Sequence, residues 1–568
     1  MARVGFFDFW RDRTLFLPLA LLAPFVLFAL RPASAQTAYC GSVASGTYAA
    51  GFNCVAPAAT PAALSTASGT VINAPVGAGL RTLSQNADST ISVTGTQVFG
   101  NTGVLANGVF AQVNGGAGAA GILFDGTLNA VTLGTFGDDA VYIQNNTAGL
   151  SSVTVAAGTR LDLTNGGTSG IERDGIDITA TGGGDGTVIH RGTGTITTAN
   201  GNGVFVKTQG GGSASVELSS GVAISVGKPA AGGIYGGIHT RVADSGATSI
   251  TSEAALQISG TNAYGIFTQA VDGATSITNS GAIVTDGLNG FGIRAATSGL
   301  RDIGIYNSGA ITTTGQAAHG IYVTSPAGVV ALNNDGAITV GSAAATVGSR
   351  AIFVNPTGDI DISGSGDILV LGNAATAGGY GIIANSTVGH IFLDYSGDVT
   401  VSGNGAGAIR LDSISGNVDV DYSGDRIETF NQNGIGIYAS SRSATGTVDV
   451  DAGGTIVTHA DNGGGDGSGT GAFGIEAISY GGDITISYDG PLIDVNGTGA
   501  GILAGNAYFT GTGLGMIDVE SSGDIVARGN QQPGIRAYGH FPPPGRRPSP
   551  TRARSARWVL RTARESLP

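Results

Sequence analysis

YGIFTQAVDGATSITNSGAIVTDGLNG (264–290) is followed directly by FGIRAATSGLRDIGIYNSGAITTTGQAA (291–318) and then by HGIYVT (319–324), so one unit is written twice and begun a third time. Each full unit opens on Gly-Ile. It passes through an alternating segment such as Thr275 to Thr278 and reaches a Ser-Gly-Ala-Ile turn-and-strand at 280–283 and 308–311. Self-similarity at a period of 20 to 50 residues marks a repeat architecture, in which each unit buries its apolar face only against its neighbours.

The copies extend well beyond this window. An aliphatic residue following a small one recurs at Val204, Ile238, Ile266, Ile293, Ile321, Ile352, Ile382, Ile409, Ile437, Ile475, Ile502 and Ile535. A second marker keeps pace with it at Gly281, Gly309, Gly336, Gly366, Gly397, Gly424, Gly454, Gly490 and Gly523. Two markers moving in register argue for one structural unit per period. The surplus length of some periods falls in Gly-rich inserts, where a repeat array places its loops.

Within a period the apolar spacing is two. Ser276-Ile-Thr-Asn, Ile360-Asp-Ile-Ser, Val418-Asp-Val-Asp and Ile484-Thr-Ile-Ser alternate apolar with polar, the pattern of a half-buried strand. Ser-Gly, Asn-Gly and Gly-Asp clusters bound these runs and supply turn chemistry. No window sustains a period of 3.6, so helices are expected to be nearly absent. Were successive periods hairpins, an equivalent position would not return facing the same way every 28 or so residues. The expected fold is therefore all-β: a parallel solenoid of about three strands per turn and roughly 15 rungs, with equivalent aliphatics stacked at the strand spacing of about 4.8 Å.

Composition agrees. Gly accounts for 99 of 568 residues without a Gly-X-Y period, which excludes collagen. Hydrophobic residues make up 41% and are periodic, which argues against disorder. The net charge of −14 comes mostly from isolated Asp in turns, and the body of the chain carries no basic stripe for nucleic acid.

The chain order gives four segments. In 1–35, Arg3, Arg11 and Arg13 precede an apolar run from Leu15 to Leu30 and then Ala33-Ser34-Ala35, the layout of a cleaved secretory signal peptide. Segment 36–90 reads as an N-terminal cap or linker and holds both cysteines, Cys40 and Cys54. Export would permit them to form a disulfide, contributing about 3 kcal/mol in the chain-entropy model. Segment 91–540 is the repeat body. In 541–568 anchors and strands vanish and Pro and Arg dominate. That abrupt change reads as a disordered tail in a shifted reading frame rather than a functional basic tail.

The Ser-Gly-Ala-Ile and Gly-Ile-Tyr units, the export signal and the scarcity of cysteine resemble the passenger regions of autotransporters, the type V secreted proteins of Gram-negative bacteria. The resemblance covers roughly residues 90–538 and is one of repeat style. It implies a right-handed parallel β-helix carried to the cell surface by a C-terminal outer-membrane β-barrel. No series of ~10-residue alternating segments with aromatic girdles, as a barrel needs, precedes the Arg-rich end, so the sequence reads as a passenger truncated before its translocator. The expected role is an exported adhesin, self-association module or stalk. Its expected location is the cell surface or the extracellular space, or the periplasm without a barrel. Its partners would be a host or neighbouring cell surface or further copies of itself, together with a translocator barrel if the native chain continues.

Parallel β-helices also serve as polysaccharide lyases and glycoside hydrolases, which makes a glycan-cleaving enzyme the alternative. Gly137-Asp138-Asp139 and Arg173-Asp174-Gly175-Ile176-Asp177 superficially resemble the carboxylate motifs of pectin-cleaving glycosidases, and paired carboxylates about 5 to 10 Å apart would be required. Their order is the reverse of that family's, and no Gly-His-Gly accompanies them. They are read instead as solvated turn residues. Asp419, Asp421 and Asp425, like Asp394 and Asp398, alternate with apolar residues and are expected to line one exposed face, where weak calcium binding is conceivable. Asp244-Ser245-Gly246 lacks the preceding Gly of a serine-protease motif, and His239, His319 and His459 are scattered singly. No catalytic, metal or cofactor residues are assigned, and no cofactor or enzyme activity is expected.

Overall fold

The computed structural model describes residues 37–38, 40–57, 59–74, 78–100, 107–126, 129–133, 138–163, 173–227, 235–326, 328–342, 348–372, 379–403, 407–430, 434–459, 472–497, 499–506, 515–528, 533–539 and 558–562. Gln36–Pro568 forms one compact unit. The expected signal peptide, 1–35, lies outside the described residues.

Every third strand belongs to the same sheet, and all the pairings are parallel. The chain winds through three sheets of 18, 18 and 17 strands, with no helix among the described residues. Apolar residues one period apart therefore stack instead of facing each other. In the first sheet the register runs Val204↔Ile238↔Ile266↔Ile293↔Ile321↔Ile352. It continues Ile382↔Ile409↔Ile437↔Ile475↔Ile502↔Ile535. The aliphatic marker of the sequence is thus one unbroken column. The alternating segments form the second sheet, where Ile250, Ile277, Ile305, Leu332, Ile362, Leu393 and Val420 stack. Ile283 and Ile311 of the Ser-Gly-Ala-Ile units belong to the third. The three columns meet in one continuous core, in which Ile266, Ile293, Ile321 and Ile352 are fully buried.

Close approach of neighbouring turns explains both the small residue before each aliphatic anchor and the glycine of the second marker. A Cβ on Gly265 would lie 2.3 Å from Ile283 Cγ2 and 2.5 Å from the Gly292 carbonyl of the next turn. One on Gly309 would lie 2.1 Å from the Gly281 carbonyl. At both corners the backbone of one turn occupies the space a side chain would need.

The corner between the second and third sheets turns inward on asparagine. Asn279 Nδ2 donates to Asn307 Oδ1, and Asn307 Nδ2 to Asn334 Oδ1, each at 2.8 Å. The same amide groups donate to the Gly281, Gly309 and Gly336 carbonyls. Such a ladder satisfies buried polar groups at a corner that the sheets cannot.

The coil begins earlier than residue 91. Phe52–Val55 pairs with Leu80–Ser84, and Ala62–Thr66 with Ser89–Thr94, so the segment read as a cap or linker carries the first turns. Its inward positions hold Ala62, Leu64, Ala74 and Leu80, small enough in part to hide the aliphatic period. Cys40 and Cys54 form a disulfide, with Cα atoms 4.7 Å apart. In the tail, Trp558–Thr562 pairs in parallel with Ile517–Ser521. This departs from the expectation of disorder, and Trp-Val-Leu is indeed a strand-favouring run. The remainder of 541–568 lies outside the described residues.

Candidate functional site

The two aspartate motifs come together. Val141–Asn145 and Ile176–Ala180 are adjacent strands of the first sheet, with Tyr142 opposite Asp177. Asp138 and Asp139 therefore precede one strand, and Arg173 and Asp174 the next, at the same corner of successive turns. One carboxylate oxygen from each of Asp139, Asp174 and Asp177 lies within 4.8 Å of the others.

Asp139 and Asp174 are not solvated turn residues: they are 6% and 3% exposed, and Arg173 is 2% exposed. The cause is a ladder. The Asp139 N–H donates to Asn107 Oδ1 at 3.0 Å, and the Asp174 N–H donates to Asp139 Oδ1 at 2.8 Å. Asn202 donates its backbone N–H and, at 2.9 Å, its Nδ2 to Asp174 Oδ1. Asn202 Oδ1 then accepts the Gly236 N–H at 2.9 Å. Along Asn107, Asp139, Asp174 and Asn202, each side chain caps the backbone of the following turn, and Asp stands where Asn serves on either side.

Electrostatics separates the two residue types. Burial, followed by the charges of Asp177, Asp174 and Asp138, pushes the Asp139 carboxyl well above the usual carboxylate range. Asp138 is raised by burial against the attraction of Arg173. The Tyr142 phenol is also raised, by burial and then by Asp177, Asp139 and Asp138. Such a cluster favours holding a proton. Its three convergent oxygens could contribute to a hard-cation site, although Asp139 Oδ1 and Asp174 Oδ1 already serve the backbone.

The second acidic group divides. Asp394, Asp421 and Asp451 stack on the outer face of the second sheet, beside a parallel pair of Asp419 and Asp449. Contrary to the expectation from the alternation, Asp398 and Asp425 do not share that face; they lie in the turn that leads to the third sheet. There Asp398 Oδ1 accepts the Arg426 N–H at 2.9 Å. The turn register breaks the alternation between Tyr395 and Val399, and again between Tyr422 and Arg426. Burial, followed by neighbouring like charges, raises Asp419, Asp421 and Asp449: Asp449 and Asp421 act on Asp419, Asp394 and Asp451 on the adjacent strands act on Asp421, and Asp451 on the same strand acts on Asp449.

Asp244 Oδ2 accepts the Gly210 N–H at 2.6 Å, a turn cap and not a partner for Ser245. His459 lies 2.9 Å from Glu428.

His239 and His319 belong to a feature the sequence reading missed. Residues flanking the Gly-Ile anchor, such as Tyr264 and Phe267, Phe291 and Arg294, or His319 and Tyr322, form two adjacent columns on the outer face of the first sheet. Tyr264 and Phe291 stack with centroids 5.1 Å apart, and Tyr322 and Phe353 at 4.7 Å. The signal was present as aromatic or cationic residues on both sides of successive anchors.

Comparison with protein-family models, with curated proteins and with solved structures found no match to this chain.

Proposed function

We propose that the chain is a rigid surface rod of the autotransporter-passenger kind, exported and acting as an adhesin, a self-association module or a stalk. The observation that carries this reading is the single unbroken parallel register, from Phe52 in the first sheet to Ile535. A stack of 18 strands at about 4.8 Å sets the two ends of the first sheet roughly 80 Å apart. Such a body holds distant surfaces at a fixed separation and repeats one binding face along its length.

The test is twofold. Small-angle scattering on the purified chain should return an elongated particle of that length. The chain should also bind cells, extracellular matrix or itself. A compact particle would overturn the rod, and inertness in all three binding assays would leave only the stalk.

The convergence of Asp139, Asp174 and Asp177 favours a second reading, a glycan-cleaving enzyme. Burial of Asp139 and Asp174 and their capping of backbone N–H groups favour the structural role. Release of reducing ends from a polysaccharide panel, abolished by Asp138→Asn or Asp177→Asn, would reverse that preference.

A further inference from the structure

We propose that the outer face of the first sheet, between about residues 239 and 410, binds an acidic polysaccharide lying along the coil axis; this rests on the surface-rod reading and names its ligand class.

The strip is cationic on an acidic protein. Arg241, Arg294, Arg350 and Arg410 occupy alternate strands of the sheet: Tyr235–Val242, Phe291–Thr297, Arg350–Pro356 and Gly407–Ser413. Positive charges therefore recur every second turn, about 9.6 Å apart as measured along the axis, and are spread over three neighbouring columns: Arg294 and Arg410 share one, Arg350 lies in that of Phe291 and His319, and Arg241 in that of Gln269. None of the four forms a salt bridge among the described residues, whose ion-paired arginines include Arg160, Arg301, Arg426, Arg442 and Arg528, although the charge of Arg410 acts on Glu476. Glu476, two strands beyond Arg410 in the same column, closes the cationic run.

Three of the four guanidinium groups, those of Arg294, Arg350 and Arg410, are held in place. Arg294 lies 5.1 Å from the Phe267 centroid and 5.3 Å from that of Phe291, and its Nη1 donates to the Tyr264 hydroxyl at 2.8 Å. Arg350 lies 4.5 Å from the Phe353 centroid, and Arg410 5.0 Å from that of Tyr438. Rings stacked along the axis cover one another's faces. They therefore act as apolar braces, and ligand recognition falls to the arginine N–H edges. A planar donor fork fixed in this way loses little freedom on meeting a carboxylate or sulfate.

Charge spacing selects the occupant. A nucleic acid strand carries one phosphate per about 3.4 Å of axis, so most of its charges would find no partner here and would face a body of net charge −14. A polysaccharide with one acidic group per disaccharide carries charge at a spacing of the same order as the arginines.

The experiment is fluorescence anisotropy with labelled hyaluronan fragments and the full chain. Binding is expected, weakening as salt rises. Arg241→Gln/Arg350→Gln and, separately, Arg294→Gln/Arg350→Gln should each lower affinity about tenfold or more, with circular dichroism unchanged. Lys at the same positions should restore part of the loss, and Arg301→Gln, on another face, should change nothing. Absence of hyaluronan binding, an equal loss with Arg301→Gln, or tighter binding of a single-stranded oligonucleotide of matched length would overturn the proposal. The rod is read separately, by particle length, which none of these substitutions alters.

Discussion

Asp174 donates its backbone N–H to the side chain of Asp139 one turn before it, at 2.8 Å, and so takes the place in the ladder that Asn202 takes toward Asp174. The relationship makes Asp139→Asn a conservative change and Asp139→Ala a damaging one. The alanine leaves a buried N–H without an acceptor and should cost about 1–3 kcal/mol. Because the folded Asp139 carboxyl is raised above its unfolded value, its stabilising share is fully present below the ordinary carboxylate pKa and lost as pH rises through the folded one. The Asn variant should therefore match the parent near pH 4 and become the more stable as pH rises. Hydrogen exchange at the Asp174 amide, followed against pH, checks both points.

Asp394, Asp421 and Asp451 form a column of like charge on adjacent strands, where directly opposed like charges cost roughly 0.2–1 kcal/mol per pair before solvent screening. Asp421 is raised by burial and by its two neighbours, so it too favours the folded state most at low pH. Asp421→Asn should raise the melting temperature at pH 7 and low salt. The gain should shrink near pH 4 and in high salt, and a gain that ignored both would refute the electrostatic cause.

How much of this was legible in sequence follows from how many residues share each job. The Ile266-to-Ile535 column repeats one residue type at one period, so periodicity alone located it. The corner caps were hidden because one acceptor oxygen suffices, and each cap is a single Asp or Asn side chain in a turn. Asp88, Asp185, Asp302, Asp359 and Asp483 each accept a backbone N–H from the next turn, at 2.6–3.0 Å, yet in sequence they look like solvated charges. The same ambiguity concealed the burial of Asp139 and Asp174. The outer columns of the first sheet were obscured for the opposite reason, since Tyr, Phe, His and Arg alternate there and no single type recurs.

Cys40 and Cys54 staple the beginning of the coil, with Cys54 on Phe52–Val55, the strand that pairs with Leu80–Ser84. Cys40→Ser/Cys54→Ser, or reduction, should release the first turns at a cost of about 3 kcal/mol. Because each turn contacts chiefly its neighbours, the loss should stay local. Limited proteolysis should cut within about residues 40–80 and spare the region around Ile321.

Ile321 lies between Ile293 and Ile352 in the aliphatic column and is fully buried. Ile321→Ala removes contacts with both neighbours and should cost about 2–5 kcal/mol. Ile321→Asp adds the burden of an unpaired charge in an apolar column and should open the turns on either side. Since neighbouring turns are each other's only cover, opening should appear as new protease cleavage near 315–330, with the distant ends of the coil still protected. Unchanged protease resistance at that site in Ile321→Asp would mean that the column does not hold the turns together, and the stacked-coil account of the chain would fall with it.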